Sequence, residues 1–490
     1  MSPSQMRSPS SGALVATLAF AGIAASVTQT MITPLVAQLP AIFATSPANT
    51  AWIVTATLLA AAVAVPIAGR LGDIFGKKRM ILLSTVPLVL GGVLCALAPN
   101  VEFMIAGRAL QGLGMGMAPL GIALLRDAVP REKLSSAIAT VSATMGIGGA
   151  IGLPLAAAVI QFASWRALFW GGAGVTVVAA IVIALVVPQG RAGAAGQKFD
   201  FVGAIGLAIG LVSFILSISK GAQWGWGSFE TIGLFALAAV SFVLWGFWET
   251  KRDDPLVDLR TVVRPQVLLT NIASIFIGFG MYASMLVLPQ VLQLPAQTGY
   301  GLGQTVLAAG LWMAPAGVMM MLLSPVGGRI TDARGPKFTL VTGALIIAVG
   351  YGVGLLGMSA TWGVMLVGIV VNSGVALAYG AMPALIMGAV PRSETAAANG
   401  FNTLMRSLGT TIGAAVVGVI LAQMSTPLGQ SLVPSEAGFR TVLIVGAGIT
   451  IVAAVLAASI PVKRMIENGE GDPVSSPVKS TAVEHPVPSR

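Results

Sequence analysis

The sequence predicts an all-α membrane protein with fourteen transmembrane spans and both termini in the cytoplasm. The first reason is composition: the 490 residues are 56% hydrophobic and only 9% charged, whereas soluble domains carry about 25% charged residues. The second is a series of apolar runs of the length that a helix needs to cross the hydrocarbon. The third is the distribution of basic residues between those runs.

A spanning helix needs about 20 apolar residues, and fourteen runs approach that length. They lie approximately at 13–37, 51–68, 81–99, 104–124, 136–161, 167–187, 201–219, 231–248, 267–293, 306–326, 338–357, 362–387, 396–423 and 440–460. The first run is too long and too polar at its ends for a typical cleaved signal peptide, so it is retained as span 1.

Basic residues test the number of spans, because Lys and Arg concentrate on the cytoplasmic side. With the N-terminus inside, 22 of the 27 Lys and Arg residues fall in cytoplasmic segments. Only Arg166, Lys220 and Arg440 fall in outer loops, while Arg108 and Arg406 lie inside spans. A missing or extra span would invert this alternation, so the distribution supports fourteen spans. The net charge of +10 is therefore topological rather than a sign of nucleic-acid binding.

Residues suited to catalysis are scarce. The one cysteine, Cys95, lies in an apolar run, and the one histidine, His485, lies in a polar tail. No disulfide framework, metal site or cofactor is predicted, and an enzyme is disfavoured. A P-loop is also missing, because Gly72–Lys78 has one residue too few between its glycines and Lys where Ser or Thr is required.

An internal repeat organises the chain. The loop after span 2 begins Gly69-Arg-Leu-Gly-Asp73-Ile-Phe-Gly76, and the loop after span 10 begins Gly328-Arg-Ile-Thr-Asp332-Ala-Arg-Gly335. Two parallel six-helix halves are expected, separated by an additional pair of spans, and repeated halves are typical of secondary transporters. The predicted parts are an N-terminal bundle at 1–188, a linker with spans 7 and 8 at 189–265, a C-terminal bundle at 266–461 and a disordered tail at 462–490.

These motifs resemble the major facilitator superfamily, and the fourteen spans resemble its drug:H+ antiporter branch. The segment GRLGDIFGKKR is similar to the superfamily signature of the loop between spans 2 and 3. In the family this loop is a cytoplasmic latch between the two halves. The resemblance assigns the latch to Gly69, Arg70, Asp73, Gly76, Lys77 and Arg131, and to the duplicate Gly328, Asp332 and Gly335. Physically, the glycines permit a tight turn, and the aspartate can sit against a helix N-terminus or the neighbouring bases.

Span 4 resembles the family signature RxxQGxG in Arg108, Gln111, Gly112, Gly114 and Gly116. An arginine in mid-membrane costs about 2.5–3.5 kcal/mol, so it should face the interior and find acceptors. Its role is either transport itself or the joining of helices through backbone carbonyls. Span 5 keeps only part of the branch's GPxxGG motif, in Gly152 and Pro154, so it is expected to serve helix packing together with the glycines of span 4.

Span 1 departs from the branch, because Met31 stands where an aspartate is usual. None of the 17 acidic residues lies near the centre of a span. The embedded charges are Arg108 and Arg406, which predict a cavity suited to neutral, amphipathic or anionic cargo. A proton would then be carried by Glu102 or by boundary acids such as Asp73 and Asp127.

The function expected is export of lipophilic or drug-like small molecules by proton-coupled alternating access. The alternative is a weakly coupled or uncoupled transporter of a lipid-like or anionic metabolite, and nutrient import ranks third. Transport and coupling are assigned to Arg108, Gln111, Arg406 and Glu102. The substrate cavity is assigned to Gln29, Thr33, Asn271, Tyr282, Trp312, Asn372, Tyr379 and Asn402. A monomer in a bacterial inner membrane suffices, with the lipid bilayer, protons and the cargo as partners and no nucleic acid.

Overall fold

The computed structural model describes residues 11–32, 35, 38–188, 198–428 and 431–461. Helices occupy most of these ranges. They are α1 (Ser11–Thr30), α2 (Leu39–Ile42), α3 (Pro47–Phe75), α4 (Lys77–Leu97), α5 (Val101–Leu113), α6 (Met117–Ala128), α7 (Arg131–Phe162), α8 (Arg166–Val186), α9 (Phe201–Trp224), α10 (Phe229–Thr250), α11 (Leu259–Val262), α12 (Pro265–Gln293), α13 (Val306–Arg334), α14 (Pro336–Gly357), α15 (Thr361–Ala389), α16 (Thr395–Gln423) and α17 (Glu436–Ala458). Strands β1 (Ser425–Leu428) and β2 (Ser431–Pro434) form an antiparallel hairpin.

Twelve of the described helices are long and apolar enough to cross a membrane, namely α1, α3, α4, α8, α9, α10 and α12 to α17. The two other predicted spans, 4 and 5, are helical but are not among these twelve. Span 4 is divided into α5 and α6 by a 3-10 turn at Gly114–Gly116, and span 5 corresponds to α7, whose side chains are described only in part. The predicted tail at 462–490 and the loop at 189–197 lie outside the described residues.

Two features differ from the expectation. Span 1 was expected to run to residue 37, but α1 ends at Thr30. The β1–β2 hairpin between α16 and α17 was not predicted from the sequence, and the Tyr300 hydroxyl donates a hydrogen bond to the Pro434 carbonyl at 2.5 Å. At the interruption of span 4 the chain packs closely on α4, because a Cβ at Gly114 would lie 2.6 Å from the carbonyl oxygen of Ser84.

The two glycines at equivalent positions of the repeat make the same turn. Gly76 ends α3 with φ of 97°, and Gly335 ends α13 with φ of 87°. Both values lie in a region that side chains other than glycine adopt at a cost. Each glycine allows the next helix to begin at once, so the pairs α3–α4 and α13–α14 are closely connected.

Two seams join the first and second halves of the repeat. Along one seam α3 packs against α16, and along the other α7 packs against α13. Gly69 brings α3 onto α16, since its Cβ would lie 2.6 Å from the Ala396 carbonyl oxygen, and Ser324 of α13 donates a hydrogen bond to the Ala139 carbonyl of α7. Helix α3 runs from Trp52 at one end of the bundle to Asp73 at the other, and these ends are called the Trp52 end and the Asp73 end below.

The additional pair of spans, which corresponds to α9 and α10, lies beside the α3–α16 seam. Helix α9 contacts both α3 and α16, and its apolar face packs Leu207 and Leu211 into a cluster with Ala62 of α3 and Leu404 of α16. Helix α10 packs against α9, and only 17% of its apolar stretch is buried. The pair is therefore peripheral, with α9 against the seam and α10 mostly on its outer side.

We expect Gly112→Ala to destabilise the protein, because the new Cβ would overlap the Thr57 carbonyl of α3 and lie 2.8 Å from the Cβ of Ala60. Overpacking of this kind typically costs about 1–3 kcal/mol. Cys95 is fully buried, so a thiol-reactive dye in detergent reports unfolding. The midpoint of dye labelling on heating should fall in the variant.

Gly174→Ala on α8 is the matched control, since nothing lies within 4 Å of a Cβ at that position. Alanine favours a helix interior over glycine by about 1 kcal/mol, so the control should keep or raise the midpoint. Equal midpoints for the two variants would contradict close packing at Gly112.

Candidate functional site

Arg108 lies inside the bundle with its guanidinium against the end of α1. The side chain is 1% exposed. Its Nη1 donates to the Thr28 carbonyl at 3.1 Å and to Oε1 of Gln111 at 2.7 Å, and its Nη2 donates to the Gln29 carbonyl at 3.4 Å. Gln111 is one turn further along α5 and fully buried. The arginine thus joins α5 to α1 through backbone oxygens.

This geometry explains why a buried arginine is tolerated. The last four carbonyls of a helix have no partner within it, and the negative end of the helix dipole lies there. Helix α1 ends at Thr30, so the carbonyls of Thr28 and Gln29 belong to its last turn. Arg108 supplies both hydrogen-bond donors and a compensating charge, and it acts as a C-cap from another helix.

Two donors beside this cap have no acceptor in the described part of the chain. They are Nε of Arg108 and Nε2 of Gln111, both fully shielded from solvent. Buried donors are usually satisfied, and those that are not call for an explanation. Glu102, predicted to act with Arg108, is exposed in the first turn of α5. The site therefore offers hydrogen-bond donors and positive charge, with no carboxylate paired to Arg108 among the described residues.

A second polar centre surrounds Arg406 of α16. The guanidinium lies 4.5 Å from the centroid of the Tyr379 ring, and Nη2 donates to Oγ1 of Thr403 at 3.1 Å. The Tyr379 hydroxyl contacts Sδ of Met281 at 3.0 Å. A cation over an aromatic face is stabilised further when it is desolvated. Helices α12, α15 and α16 thus meet around one buried cation.

Asn402 extends this centre toward α12. Its Nδ2 donates to Oδ1 of Asn271 at 2.9 Å and to Oγ of Ser274 at 2.8 Å. Nδ2 of Asn271 is buried and has no acceptor among the described residues. Arg108, Gln111 and Asn271 thus all present unpaired donors.

The other predicted cavity residues are more scattered. Asn372 donates to the Gly368 carbonyl of its own helix, and Tyr282 is half-buried on α12. Trp312, predicted to lie well inside a span, is in the second turn of α13, and its Nε1 contacts Oε1 of Gln304 in the preceding loop at 3.3 Å. Thr33 lies outside the described residues.

The small residues of spans 4 and 5 lie at helix contacts. Gly116 faces Ala68 of α3, and Gly152 faces the Thr30 hydroxyl of α1. Pro154 of α7 packs against α13, since a Cβ at Gly310 would lie 3.1 Å from it.

Asp73 joins the two halves at the Asp73 end. Its Oδ1 accepts from the backbone N–H of Ala396 at 3.1 Å, and its Oδ2 accepts from that of Ala397 at 2.8 Å. These N–H groups are in the first turn of α16, where backbone donors have no partner within the helix. The N-cap residue of α16, Glu394, makes no side-chain cap of its own. A carboxylate of α3 therefore caps α16.

The duplicate aspartate does not repeat this contact. Asp332 is exposed and accepts no hydrogen bond in the described part of the chain. Gly328 does repeat the packing of Gly69, because its Cβ would overlap the Cα of Ser136 on α7. The difference lies in the partner helix: α7 begins at Arg131, so the N–H groups of Ser135 and Ser136 are already inside the helix. The side chain of Arg131 lies outside the described part.

The segment between α10 and α12, residues 251–264, adds contacts to both halves at the Asp73 end. Arg70 of α3 forms an ion pair with Asp254 at 3.6 Å. Thr261 donates to Oε2 of Glu394 at 3.2 Å, and Arg264 donates to the Ala389 carbonyl at 2.8 Å. The sequence had indicated only a linker here, because no motif distinguishes these residues.

Two further contacts at this end could not be predicted from the sequence either. Arg126 donates to Oγ1 of Thr395 at 2.7 Å and so joins α6 to α16. Lys77 pairs with Asp127 at 2.5 Å within the first half.

Two buried carboxylates hold the additional pair at the same end. Asp200 caps α9 by accepting from the Gly203 N–H at 3.0 Å, and it also accepts from Nε1 of Trp248 at 2.9 Å. Glu249 is 2% exposed and accepts from the Leu256 N–H at 2.9 Å. These contacts fix residues 251–264 to α10.

Comparison with known proteins agrees with this architecture. The sequence profile of the Major Facilitator Superfamily matches residues 18–414, and a second match covers 272–484. A solved structure of the human organic anion transporter MFSD10 (TETRAN) superposes with a TM-score of 0.65 at 14% identity, covering 92% of this chain and all of that one. The proton:xylose symporter XylE gives 0.61 at 13% identity, covering 92% and 96%. At these identities the likeness concerns the fold alone.

Curated relatives carry the names of exporters and resistance proteins. The Multidrug resistance protein B homolog of Mycobacterium tuberculosis is 31% identical over 346 residues, which cover 69% of this chain and 62% of that protein. This chain thus spans about 62% of that relative's length. The Multidrug transporter protein MdtP of Bacillus subtilis is 26% identical over 78% of this chain and 70% of its own length.

The Tetracenomycin C resistance and export protein of Streptomyces glaucescens is 27% identical, with 77% of this chain and 70% of that protein covered. The resemblance read from the loop motifs is thereby confirmed. The chain belongs to the Major Facilitator Superfamily, and the relatives named here lie in its drug-efflux branch.

Proposed function

We propose that this protein exports lipophilic, drug-like small molecules across a bacterial inner membrane by proton-coupled alternating access. The observation that carries the proposal is the pair of unpaired buried donors on Arg108 and Gln111, in a chain whose relatives are named as a multidrug resistance protein homolog and an antibiotic resistance and export protein. A transporter that binds and releases its cargo needs no catalytic residues. We therefore propose no enzymatic activity.

The proposed topology has fourteen spans. It consists of the twelve helices of sufficient length, the divided pair α5 and α6, and α7. Six spans form each half, at 1–188 and 266–461, with α9 and α10 between them. The Asp73 end is placed in the cytoplasm, because basic residues concentrate in its loops. Both termini then face the cytoplasm, and one chain contains both halves.

The buried donors suggest the chemistry of the cargo. Arg108 and Gln111 would bind a carbonyl, ether or anionic oxygen, and Arg406 adds a second positive centre. Methionine and aromatic side chains, such as Met281 and Tyr379, would contact its apolar part, and flexible thioethers suit varied ligands. Neutral or anionic amphipathic compounds are therefore favoured over quaternary ammonium compounds.

The contacts at the Asp73 end suggest the gate. With Asp73 on the first turn of α16 and Arg70 on Asp254, the cytoplasmic ends of the two halves are closed. Opening toward the cytoplasm would require α3 to leave α16 and would break both contacts. Protonation of Asp73 would remove its charge from the positive end of the α16 dipole and weaken the cap. Proton binding at this position thus favours opening.

The alternative is an uncoupled or weakly coupled transporter of a lipid-like or anionic metabolite. One observation favours it: the buried carboxylates of the described residues are Asp73, Asp200 and Glu249, and all three lie at the Asp73 end. In the described part of the chain, no acid forms an ion pair with Arg108. A coupling proton would then have to bind a carboxylate at the Asp73 end rather than a group that contacts the cargo.

We expect Arg108→Ala to reduce transport by about tenfold or more, because hydrogen bonds to charged groups contribute about 1.5–3 kcal/mol each. The measurement is flux in proteoliposomes with an interior pH dye, with neutral, anionic and cationic lipophilic compounds added separately. Cargo movement accompanied by proton movement supports coupled export. Cargo movement without proton movement contradicts coupling and selects the alternative.

Two further variants separate transport from folding. Gln111→Met keeps the volume and the Arg108 contacts to α1 but removes both the unpaired Nε2 and the Oε1 that accepts from Arg108. Transport should fall, while the Cys95 labelling midpoint should fall less than in Arg108→Ala, because the arginine still joins α5 to α1. Arg166→Ala is the matched control, since Arg166 also donates to a helix-end carbonyl, Ala98, but near the surface. Full transport by Gln111→Met would contradict cargo binding at this site.

We expect Asp73→Asn to loosen the first turn of α16. Asparagine keeps one acceptor oxygen but loses the second acceptor and the negative charge at the positive end of the helix dipole, which together contribute about 0.5–2 kcal/mol. The exchange protection of the Ala396 and Ala397 amides should therefore fall about 2- to 30-fold. Hydrogen exchange with mass spectrometry of a peptide spanning 393–402 measures the effect.

Asp332→Asn provides the control for this measurement, because it changes the equivalent residue of the repeat, which caps no described helix. Its exchange at Ala396 and at the start of α7 should equal that of the wild type. An equal effect of both variants, or no effect of either, would contradict the conclusion that Asp73 caps α16 while Asp332 makes no equivalent contact.

A further inference from the structure

Lys220 of α9 is a buried cation that no acid of the described residues accompanies. It was counted as an outer-loop residue in the sequence, but it lies within α9 and is 2% exposed. None of the ion pairs in the described part of the chain includes it. Buried charges are normally paired, and an unpaired one near a membrane is a candidate binding site.

The contacts of Lys220 leave donors of its ammonium group available to an anion. Its Nζ lies 4.6 Å from the centroid of the Trp52 ring of α3. Among the described residues its Nζ donates one hydrogen bond, to Oε1 of Gln223 at 3.3 Å, and Gln223 itself is exposed. An ammonium group has three donors, so this weak contact leaves most of its capacity unused. A ligand oxygen can take the place of the Gln223 oxygen without disturbing α9.

The neighbouring aromatic residues indicate the depth of Lys220 in the membrane. Trp224 and Trp226 are 38% and 44% exposed, and Phe229 is 89% exposed, all within one turn between α9 and α10. Tryptophan concentrates at the level of the lipid headgroups. Trp226 also covers Gly221, where an added Cβ would lie 2.6 Å from its ring. The lysine therefore lies beside the headgroup region of the leaflet at the Trp52 end.

We propose that Lys220, Trp52 and Gln223 form a binding site for the phosphate of an anionic phospholipid at the end of the α3–α9 contact. The phosphate binds Nζ of Lys220, and the acyl chains lie along the exposed face of α9 and α10. Bound lipid then joins the additional pair to α3 at the Trp52 end, where no ion pair of the described residues does so. With this lipid bound, α9 and α10 would stabilise α3 beside the α3–α16 seam.

The test compares the full chain in nanodiscs of phosphatidylcholine with and without phosphatidylglycerol. The Cys95 labelling midpoint of the wild type should rise by several degrees with phosphatidylglycerol, because a ligand that binds only the folded state stabilises it. In Lys220→Gln this rise should be lost, with lipid affinity by native mass spectrometry about tenfold weaker. Lys220→Arg keeps the charge and should keep the rise.

Arg440→Gln is the matched control, since it removes a positive charge at the same end from an exposed residue that is already paired with Glu436. It should respond to phosphatidylglycerol as the wild type does. An equal loss in Arg440→Gln, or a full rise in Lys220→Gln, overturns the site. A full rise with inorganic phosphate in phosphatidylcholine overturns the lipid as its source and assigns the site to a free anion.

If Lys220→Gln lowers the labelling midpoint even in phosphatidylcholine, the loss of stability would obscure the effect of the lipid. The variant Trp52→Leu then tests the site. This variant keeps the lysine and removes the aromatic platform. Its lipid affinity must then be weaker than that of the wild type, and an unchanged affinity overturns the proposal.

Discussion

A helix that ends inside an apolar bundle leaves backbone groups without partners, and the protein meets this constraint with charged side chains from other helices. Arg108 satisfies the last carbonyls of α1, and Asp73 satisfies the first N–H groups of α16. Each contact matches the sign of the charge to the helix dipole. The same two residues thereby fix α1 against α5 within the first half and α3 against α16 between the halves.

The sequence predicted the positions of most spans because hydrophobic length is a local property. It also indicated that Arg108 needs acceptors and that Asp73 suits a helix N-terminus. The sequence could not identify the partners of these two side chains, because Thr28 and Ala396 are remote in the chain and make the contacts with backbone atoms. Every residue type supplies a backbone carbonyl, and every type except proline supplies an N–H, so no side-chain pattern marks these partners.

The repeat shows a second reason why sequence reasoning falls short. Gly69 and Gly328 pack alike, and Gly76 and Gly335 turn alike. Asp73 nevertheless caps a helix, whereas Asp332 caps none of the helices that the structure describes. The cause is the starting residue of the partner helix, Arg131 for α7 and Thr395 for α16. Helix starts read from a sequence pattern are uncertain by about two to four residues, and here one turn decides whether a carboxylate finds free donors.

The two helix-end contacts also differ in when their partners are synthesised. Arg108 lies 80 residues after Thr28, so α1 is already made when α5 enters the membrane. Asp73 lies 323 residues before Ala396, and its partner emerges only after the additional pair and most of the second half. Chains fold from the N-terminus during synthesis. The first half can therefore bury its arginine early, while its aspartate stays hydrated until α16 arrives, which makes this cap one of the last contacts to form during biogenesis.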